Sequence, residues 1–403
     1  MNTNKHQVRF ALLLAVFCAL GPFTVDMYLS SFPEIMNFFD TKASLVQASL
    51  TSALLGLSLG QIIIGPLSDV HGRRKPLLFS MILFFISSIG CAISPNVEVF
   101  IVLRFIQGFS ASAGLVIARA IVRDRYEGVE LTKFFALLTT ITSVTPLLSP
   151  LAGSAVISFT SWVGVFVFTG IVGIFLTIMT VWNVKETLPI ENRVSSDFKE
   201  LVKNYKNLLQ DRKFMGYGLA SGILFGGCFA YISGSPFIYQ NIYGVSPQMF
   251  SILFALNGIS LMLGAQLVKR LAERTTPHHI FVIGLVASLI SSIAVLIVVL
   301  AHGPLAALVI SLFLSNVALG MVGPISFTLA IESQGLIAGS ASALLGIMPF
   351  LLGSITSPLV GVAGEYSAIP LGVIIFSTSL LAIIFNAVLI KNNKPLSASN
   401  LES

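Results

Sequence analysis

Twelve stretches of about twenty residues, each almost free of charge, follow one another along this chain of 403 residues. They lie near residues 9–32, 46–66, 76–94, 97–119, 133–157, 162–183, 214–238, 247–268, 279–301, 304–329, 337–362 and 366–390. Each matches the roughly 20 residues that carry an α-helix across about 30 Å of hydrocarbon. Only 10% of the residues are charged and 55% are hydrophobic, whereas a soluble domain carries about 25% charged residues. The excess apolar surface must face lipid. Backbone groups in lipid have to bond internally, which leaves helices or a closed barrel. Barrel strands would be about ten residues long with alternating polarity, and these stretches are neither. The expected fold is an all-α membrane protein with twelve transmembrane helices.

The net charge of +6 does not point to nucleic acid, because the basic residues sit in short loops between apolar segments. Lys5 and Arg9 precede the first segment, and Arg73, Arg74 and Lys75 follow the second. Arg119, Arg123, Arg125 and Lys133 surround the loop after the fourth, and a further group fills the stretch after the sixth. Lys269, Arg270 and Arg274 follow the eighth, and Lys391 and Lys394 follow the last. Of the 23 Lys and Arg, only Lys42 and Arg104 depart from this one-sided pattern. Such bias places both termini and the long polar stretch on the cytoplasmic side. The apolar run after Arg9 exceeds 20 residues with no small-x-small cleavage site after it, so it reads as an uncleaved first helix. Cys18, Cys91 and Cys228 fall inside apolar segments without metal-ligand spacing and read as small buried hydrophobes.

The one long polar stretch, 184–213, divides the chain into residues 1–183 and 214–403. Its middle, Phe198–Leu209, reads either as an amphipathic helix on the membrane surface or as a solvated linker. The halves echo each other. Ser149-Pro150-Leu151-Ala152-Gly153 recurs as Ser357-Pro358-Leu359-Val360-Gly361, and Gly56-Leu57-Ser58-Leu59 as Gly258-Ile259-Ser260-Leu261. Pro33 and Pro236 stand at the ends of the first and seventh segments. These matches at similar offsets indicate two pseudo-symmetric six-helix bundles, as in carriers that rock one bundle against the other.

Asp26 is the only acid well inside an apolar segment, and Arg104 the only base. A charge at bilayer depth costs several kcal/mol and is a functional hypothesis by default. Counted along their helices, both lie roughly 9–11 Å below the same surface, so they can pair if their helices are neighbours. Desolvation disfavours an ionised carboxylate and a nearby guanidinium favours it, so movement between the two would couple protonation to conformation. A structural ion pair joining the two helices is the alternative. Pro22 frees the carbonyl of Cys18 and loosens the helix one turn from Asp26. No His lies well inside a segment and there is no Gly-Lys dipeptide, so a phosphate-binding loop of the usual kind is not expected. The expected coupling ion is the proton, with no cofactor.

After the second segment stands Gly65-Pro66-Leu67-Ser68-Asp69-Val70-His71-Gly72-Arg73-Arg74-Lys75. This resembles the signature loop of the major facilitator superfamily, Gly-x-Leu-x-Asp-x-x-Gly-Arg-(Arg/Lys)-(Arg/Lys), at every fixed position. Gly65 would admit a close helix, Asp69 would pair with an Arg or sit at a helix N-terminus, and Gly72 would permit the tight turn. The resemblance implies that Asp69, Arg73 and Arg74 help latch the bundles together on the cytoplasmic side in the outward-open state. Arg104-Phe105-Ile106-Gln107-Gly108 is similar to the superfamily's Arg-x-x-Gln-Gly motif, which implies a part for Gln107 in proton transfer. Pro146-Leu147-Leu148-Ser149-Pro150-Leu151-Ala152-Gly153 resembles the antiporter motif in the form found in bicyclomycin/chloramphenicol resistance exporters, as does Asp26-Met27-Tyr28-Leu29-Ser30-Ser31-Phe32-Pro33. Thr145 and Ala152 stand where the general antiporter motif Gly-Pro-x-x-Gly-Gly has glycines, and Ser30 replaces a proline of the exporters' form.

Tyr231, Asn257 and Asn316 either face a central substrate cavity or bridge helices. The expected function is proton-coupled efflux of small drug-like molecules by a monomer in the lipid bilayer, with no enzymatic activity. Export of a single metabolite such as a siderophore or sugar, and uptake by symport, are the alternatives.

Overall fold

The computed structural model describes residues 2–390 apart from 127, 194–197, 333 and 335–337. Lys391 and Lys394 lie outside the described residues. The first half comprises α1 (Asn2–Asp26), α2 (Phe32–Phe38), α3 (Ala43–His71), α4 (Arg74–Ala92), α5 (Val97–Arg125), α6 (Gly128–Phe159) and α7 (Trp162–Asn183). A connecting helix, α8 (Phe198–Gln210), leads to α9 (Arg212–Phe237), α10 (Pro247–Leu271), α11 (Pro277–Leu300), α12 (Leu305–Ile331), α13 (Ala338–Thr356) and α14 (Ile369–Leu389). With α1 and α2 forming one broken crossing, the apolar helices make twelve crossings in two bundles of six. Among the described residues eleven are long and apolar enough to span a membrane, and the 32-residue α6 is the twelfth. Side chains of Asn96, Ser246 and Thr276 accept the first-turn N–H groups of α5, α10 and α11, satisfying donors that helix starts leave open.

The belt between the ends is greasy on its outside. Ile63, Phe79, Val102, Ile171 and Ile290 are all exposed, as lipid-facing side chains should be. Inside each bundle, close crossings rest on glycine. A Cβ on Gly56 would lie 2.7 Å from the backbone nitrogen of Phe109, and one on Gly108 would collide with the main chain of Ala53. The same device recurs in the second half, where Gly264 and Gly320 hold α10 against α12. Sequence reasoning assigned close approach to Gly65, but its nearest neighbour is Val116 Cγ1 at an ordinary 3.4 Å. The real seam lies deeper, where backbones meet without side chains between them.

Three expectations need correction. The first segment is not one helix through Phe32: α1 stops at Asp26, a 3₁₀ turn occupies Leu29–Ser31, and α2 restarts the crossing. Pro33 does not end a helix but opens α2, at a position where a missing N–H costs nothing. Pro236 lies inside α9, which passes into a π-helical turn at Ile238–Ile242. The two Ser-Pro-Leu copies also differ. Ser149–Gly153 is α-helical within α6, whereas α13 ends at Thr356 and Pro358–Ala363 is 3₁₀.

The two bundles are joined at one end. One continuous apolar core runs from Phe17, Phe32 and Phe100 across to Phe237, Phe250 and Val360, and a second, separate core fills the Arg73-loop end of the second bundle. The described hydrogen bonds between bundles lie away from the Arg73 loop. Gln47 Nε2 donates to the carbonyl of Ser233 (3.3 Å), Gln240 Nε2 to that of Ser30 (3.2 Å), and Ser251 Oγ to that of Pro150 (2.9 Å). Helix α8 packs on α9 and α13 with Leu208 fully buried, so this part of the connection is a docked amphipathic helix. Gly108→Val should strain the α3–α5 seam, lowering stability by about 1–3 kcal/mol or more. A thermal-unfolding series in detergent checks this, with Gly65→Ala as the milder comparison.

Candidate functional site

Where α1 breaks, its last carbonyls lose their intrahelical donors. The carbonyl of Thr24 has no N–H from residue 28 to accept, because the chain turns at Met27. Arg104 supplies the missing donor: its Nη2 lies 2.7 Å from that carbonyl. The guanidinium sits 4.0 Å over the ring of Tyr28 and 5.5 Å from that of Phe166. A cation at a helix C-terminus is also favoured by the helix dipole. Arg104 is 1% exposed and donates through Nη1 to Gln107 Oε1. Gln107 in turn donates to Ser88 Oγ (2.8 Å) and Thr169 Oγ1 (3.5 Å). Arg104 and Gln107 are therefore brought together, in a network that ties α5 to α1, α4 and α7.

The expected ion pair between Asp26 and Arg104 is not formed. Among the described residues Asp26 has no hydrogen bond or salt bridge through its carboxyl, although only 4% of the residue is exposed. The guanidinium turns to the Thr24 carbonyl and the Tyr28 ring because the helix break offers both within reach. The 3₁₀ turn just after Asp26 packs against α9 and α10 of the second bundle. The antiporter-like residues of α6 reach both this break and α10 of the second bundle. Gly153 lets α6 press directly on the main-chain oxygen of Met27, the residue after Asp26. Pro150 accepts Ser251 of α10, and Leu147, next to Pro146, packs on Gly258 of α10.

Tyr231, Asn257 and Asn316 also come together. Asn316 Nδ2 donates to Asn257 Oδ1 at 2.9 Å, and Asn257 Nδ2 donates to the Tyr231 hydroxyl. The three link α9, α10 and α12, the helix-bridging alternative. Tyr231 and Asn316 also line a small polar cavity with Cys228, Ser288 and Thr378, of about 20 Å³, room for about one water molecule.

At the other end of the molecule, Arg73 is buried and paired with Asp69 and with Asp124 of α5 (2.8 Å). Burial opposes the charge on Arg73, but those two carboxylates outweigh it and push its pKa above the ordinary guanidinium range. Gly72 turns the chain with φ +86°, a left-handed value. The anion at the N-terminus of α4 is not Asp69 but Glu186, from the start of the connecting stretch. Its carboxylate accepts the backbone N–H groups of Arg73 (2.7 Å), Arg74 (3.3 Å), Thr187 and Leu188 (both 3.1 Å). Burial would raise the Glu186 pKa, but these donors overcome it and hold it below the ordinary 4.5. Arg74 Nη2 donates to the carbonyl of Val181 near the end of α7 (2.7 Å). The described polar contacts of this loop all stay within the first bundle and the start of the connecting stretch.

The signature of the Major Facilitator Superfamily matches residues 12–358. The chain belongs to this superfamily. An uncharacterized MFS-type transporter of Bacillus subtilis is 49% identical over 94% of each chain. A bicyclomycin resistance protein homolog of Haemophilus influenzae is 28% identical over 92% of this chain and 93% of its own. Among solved structures, a bacterial homolog of the human lysosomal transporter Spinster superposes with a TM-score of 0.73 at 15% identity, covering 95% of both chains. The resemblance to the bicyclomycin/chloramphenicol resistance exporters thus extends along nearly the whole length of the superfamily fold, and the protein is a multi-pass membrane transporter rather than an enzyme.

Sequence reasoning missed the Thr24 carbonyl, the Tyr28 ring, Asp124 and Glu186. A main-chain acceptor carries no residue signal, and Glu186 was one acid among several in a polar stretch. Arg104→Ala should lower thermal stability by about 1.5–3 kcal/mol through loss of charged hydrogen bonds. Arg104→Lys should restore only part, because one ammonium cannot replace the planar fork. Glu186, with its pKa depressed, contributes stability that is present above pH 4.5 and lost as pH falls through its lower native value. Melting curves of wild type and Glu186→Gln should therefore differ at neutral pH and converge in acid.

Proposed function

We propose that this transporter exports small, mostly apolar drug-like molecules in exchange for protons, by alternating access between units 1–183 and 214–403 joined by the stretch 184–213. The observation that carries this reading is Asp26: buried, without a donor or cation on its carboxyl among the described residues, and placed at a helix break that packs against the other bundle. An isolated carboxylate in such a place is expensive, and binding a proton relieves that cost. Broken helices at the junction of two repeats are where carriers place their ion and substrate sites. Arg104 sets the local field and holds the break in shape. Pro146, Pro150 and Gly153 shape the seam against which α1 and α10 move.

The name of the Haemophilus influenzae relative supports a drug as substrate. The bacterial relatives support a bacterial cytoplasmic membrane, and the loop bias supports both termini in the cytoplasm. On that orientation the joined end is extracellular and the Arg73 loop faces the cytoplasm, so the conformation is closed outside. In the outward-open state Asp69, Arg73 and Arg74 would meet the second bundle. Tyr231, Asn257 and Asn316 would offer polar contacts beside Asp26 from the second bundle. Export of one metabolite by the same route is separated by a susceptibility panel in an efflux-deficient host: resistance to several unrelated drugs is expected, and resistance to none overturns the drug reading.

In vesicles with an imposed pH gradient, drug should move against the proton flux. Asp26→Asn should abolish gradient-driven transport, with normal expression and melting temperature. Coupled transport at wild-type rate in that variant would refute the role of Asp26.

A further inference from the structure

Away from the bundle junction, a cleft of about 680 Å³ opens between the start of α1 and the end of α7, beside the last turn of α5. Its walls are Phe10, Leu12 and Val16 from α1 and Phe175 from α7. Leu12, Val16 and Phe175 are exposed. At its mouth stand two cations, Arg125 at the end of α5 and Lys185 just beyond α7, and among the described residues no acid lines it. Neither cation forms a salt bridge among the described residues. The Arg125 guanidinium lies 4.5 Å over the Phe10 ring, which holds it at the boundary between apolar wall and polar end. From the cations the apolar wall climbs along both helices by roughly 9–12 Å. Apolar depth, an open flank and two unneutralised cations at the rim match one class of ligand. Basic pockets between transmembrane helices at the membrane surface take anionic lipid headgroups.

We propose that this cleft is a binding site for an anionic phospholipid, with its phosphate against Arg125 and Lys185 and an acyl chain along Leu12, Val16 and Phe175. It is separate from the Asp26 junction and does not depend on the direction of transport. On the orientation above, the lipid comes from the cytoplasmic leaflet.

The test is native mass spectrometry of the full-length protein, released from detergent containing phosphatidylglycerol or phosphatidylcholine in equal amounts. Wild type should retain phosphatidylglycerol in preference to phosphatidylcholine. The double variant Arg125→Gln/Lys185→Gln should lose about fivefold in phosphatidylglycerol retention for each charge removed, with phosphatidylcholine unchanged. Lys269→Gln/Arg270→Gln, at the matching end of the other bundle, should leave retention as in wild type. Val16→Trp, which fills the cleft without altering charge, should reduce retention on its own and guards against misfolding of the charge variant. Equal retention of the two lipids by wild type would overturn the proposal. So would undiminished phosphatidylglycerol in both the Arg125/Lys185 and Val16 variants, or its displacement by excess inorganic phosphate, which would leave no part for the acyl chain.

Discussion

The first crossing cannot be an unbroken helix, and much of the first bundle is arranged around that fact. Ending α1 at Asp26 exposes backbone acceptors in a medium that offers no water to satisfy them. The guanidinium of Arg104 answers that demand at the Thr24 carbonyl. Its remaining contacts, the Tyr28 ring and the Gln107–Ser88–Thr169 relay, fix α5 relative to three other helices. Gly153 completes the enclosure by letting α6 touch the main chain at Met27. A buried cation serving a main-chain carbonyl leaves the neighbouring carboxyl of Asp26 without a partner among the described residues.

The two halves solve the same packing problem with different chemistry. Arg104 stands four residues before Gly108 on α5, and Asn316 stands four before Gly320 on α12. Both glycines seat a helix crossing. In the first half the polar position is charged and caps a helix end. In the second it is neutral and joins the Asn257–Tyr231 ladder. Among the described residues the buried charges, Asp26, Arg73 and Arg104, all lie in the first half, while the second offers hydroxyls and amides.

Fold class and helix number were legible in the sequence because lipid imposes length and polarity on every crossing. Asp26, Arg104 and the Arg73 loop were legible because charge is conspicuous in so apolar a chain. Their partners were not. Whether Arg104 meets Asp26 or Thr24 depends on where α1 stops, and that is set by tertiary packing around Pro22 and Pro33 rather than by local propensity. Glu186 was hidden by the 113 positions separating it from Arg73. Identical Ser-Pro-Leu triplets becoming α-helix in one half and 3₁₀ turn in the other show that surroundings decide how a proline is accommodated. Gly65 belongs to the motif, but Gly56 and Gly108 bear the close crossing.

The closed end of the molecule is fastened by Gln47, Gln240 and Ser251, each giving a neutral hydrogen bond to a main-chain oxygen of the opposite bundle. Such bonds are worth about 1 kcal/mol apiece. One elementary charge moving through about 100 mV carries about 2.3 kcal/mol. Together the three amount to about 3 kcal/mol, the same order as moving one charge through that potential. Because the acceptors belong to the backbone, drift in residues Ser30, Pro150 and Ser233 leaves the clasp chemically intact, and only the three donors need to persist.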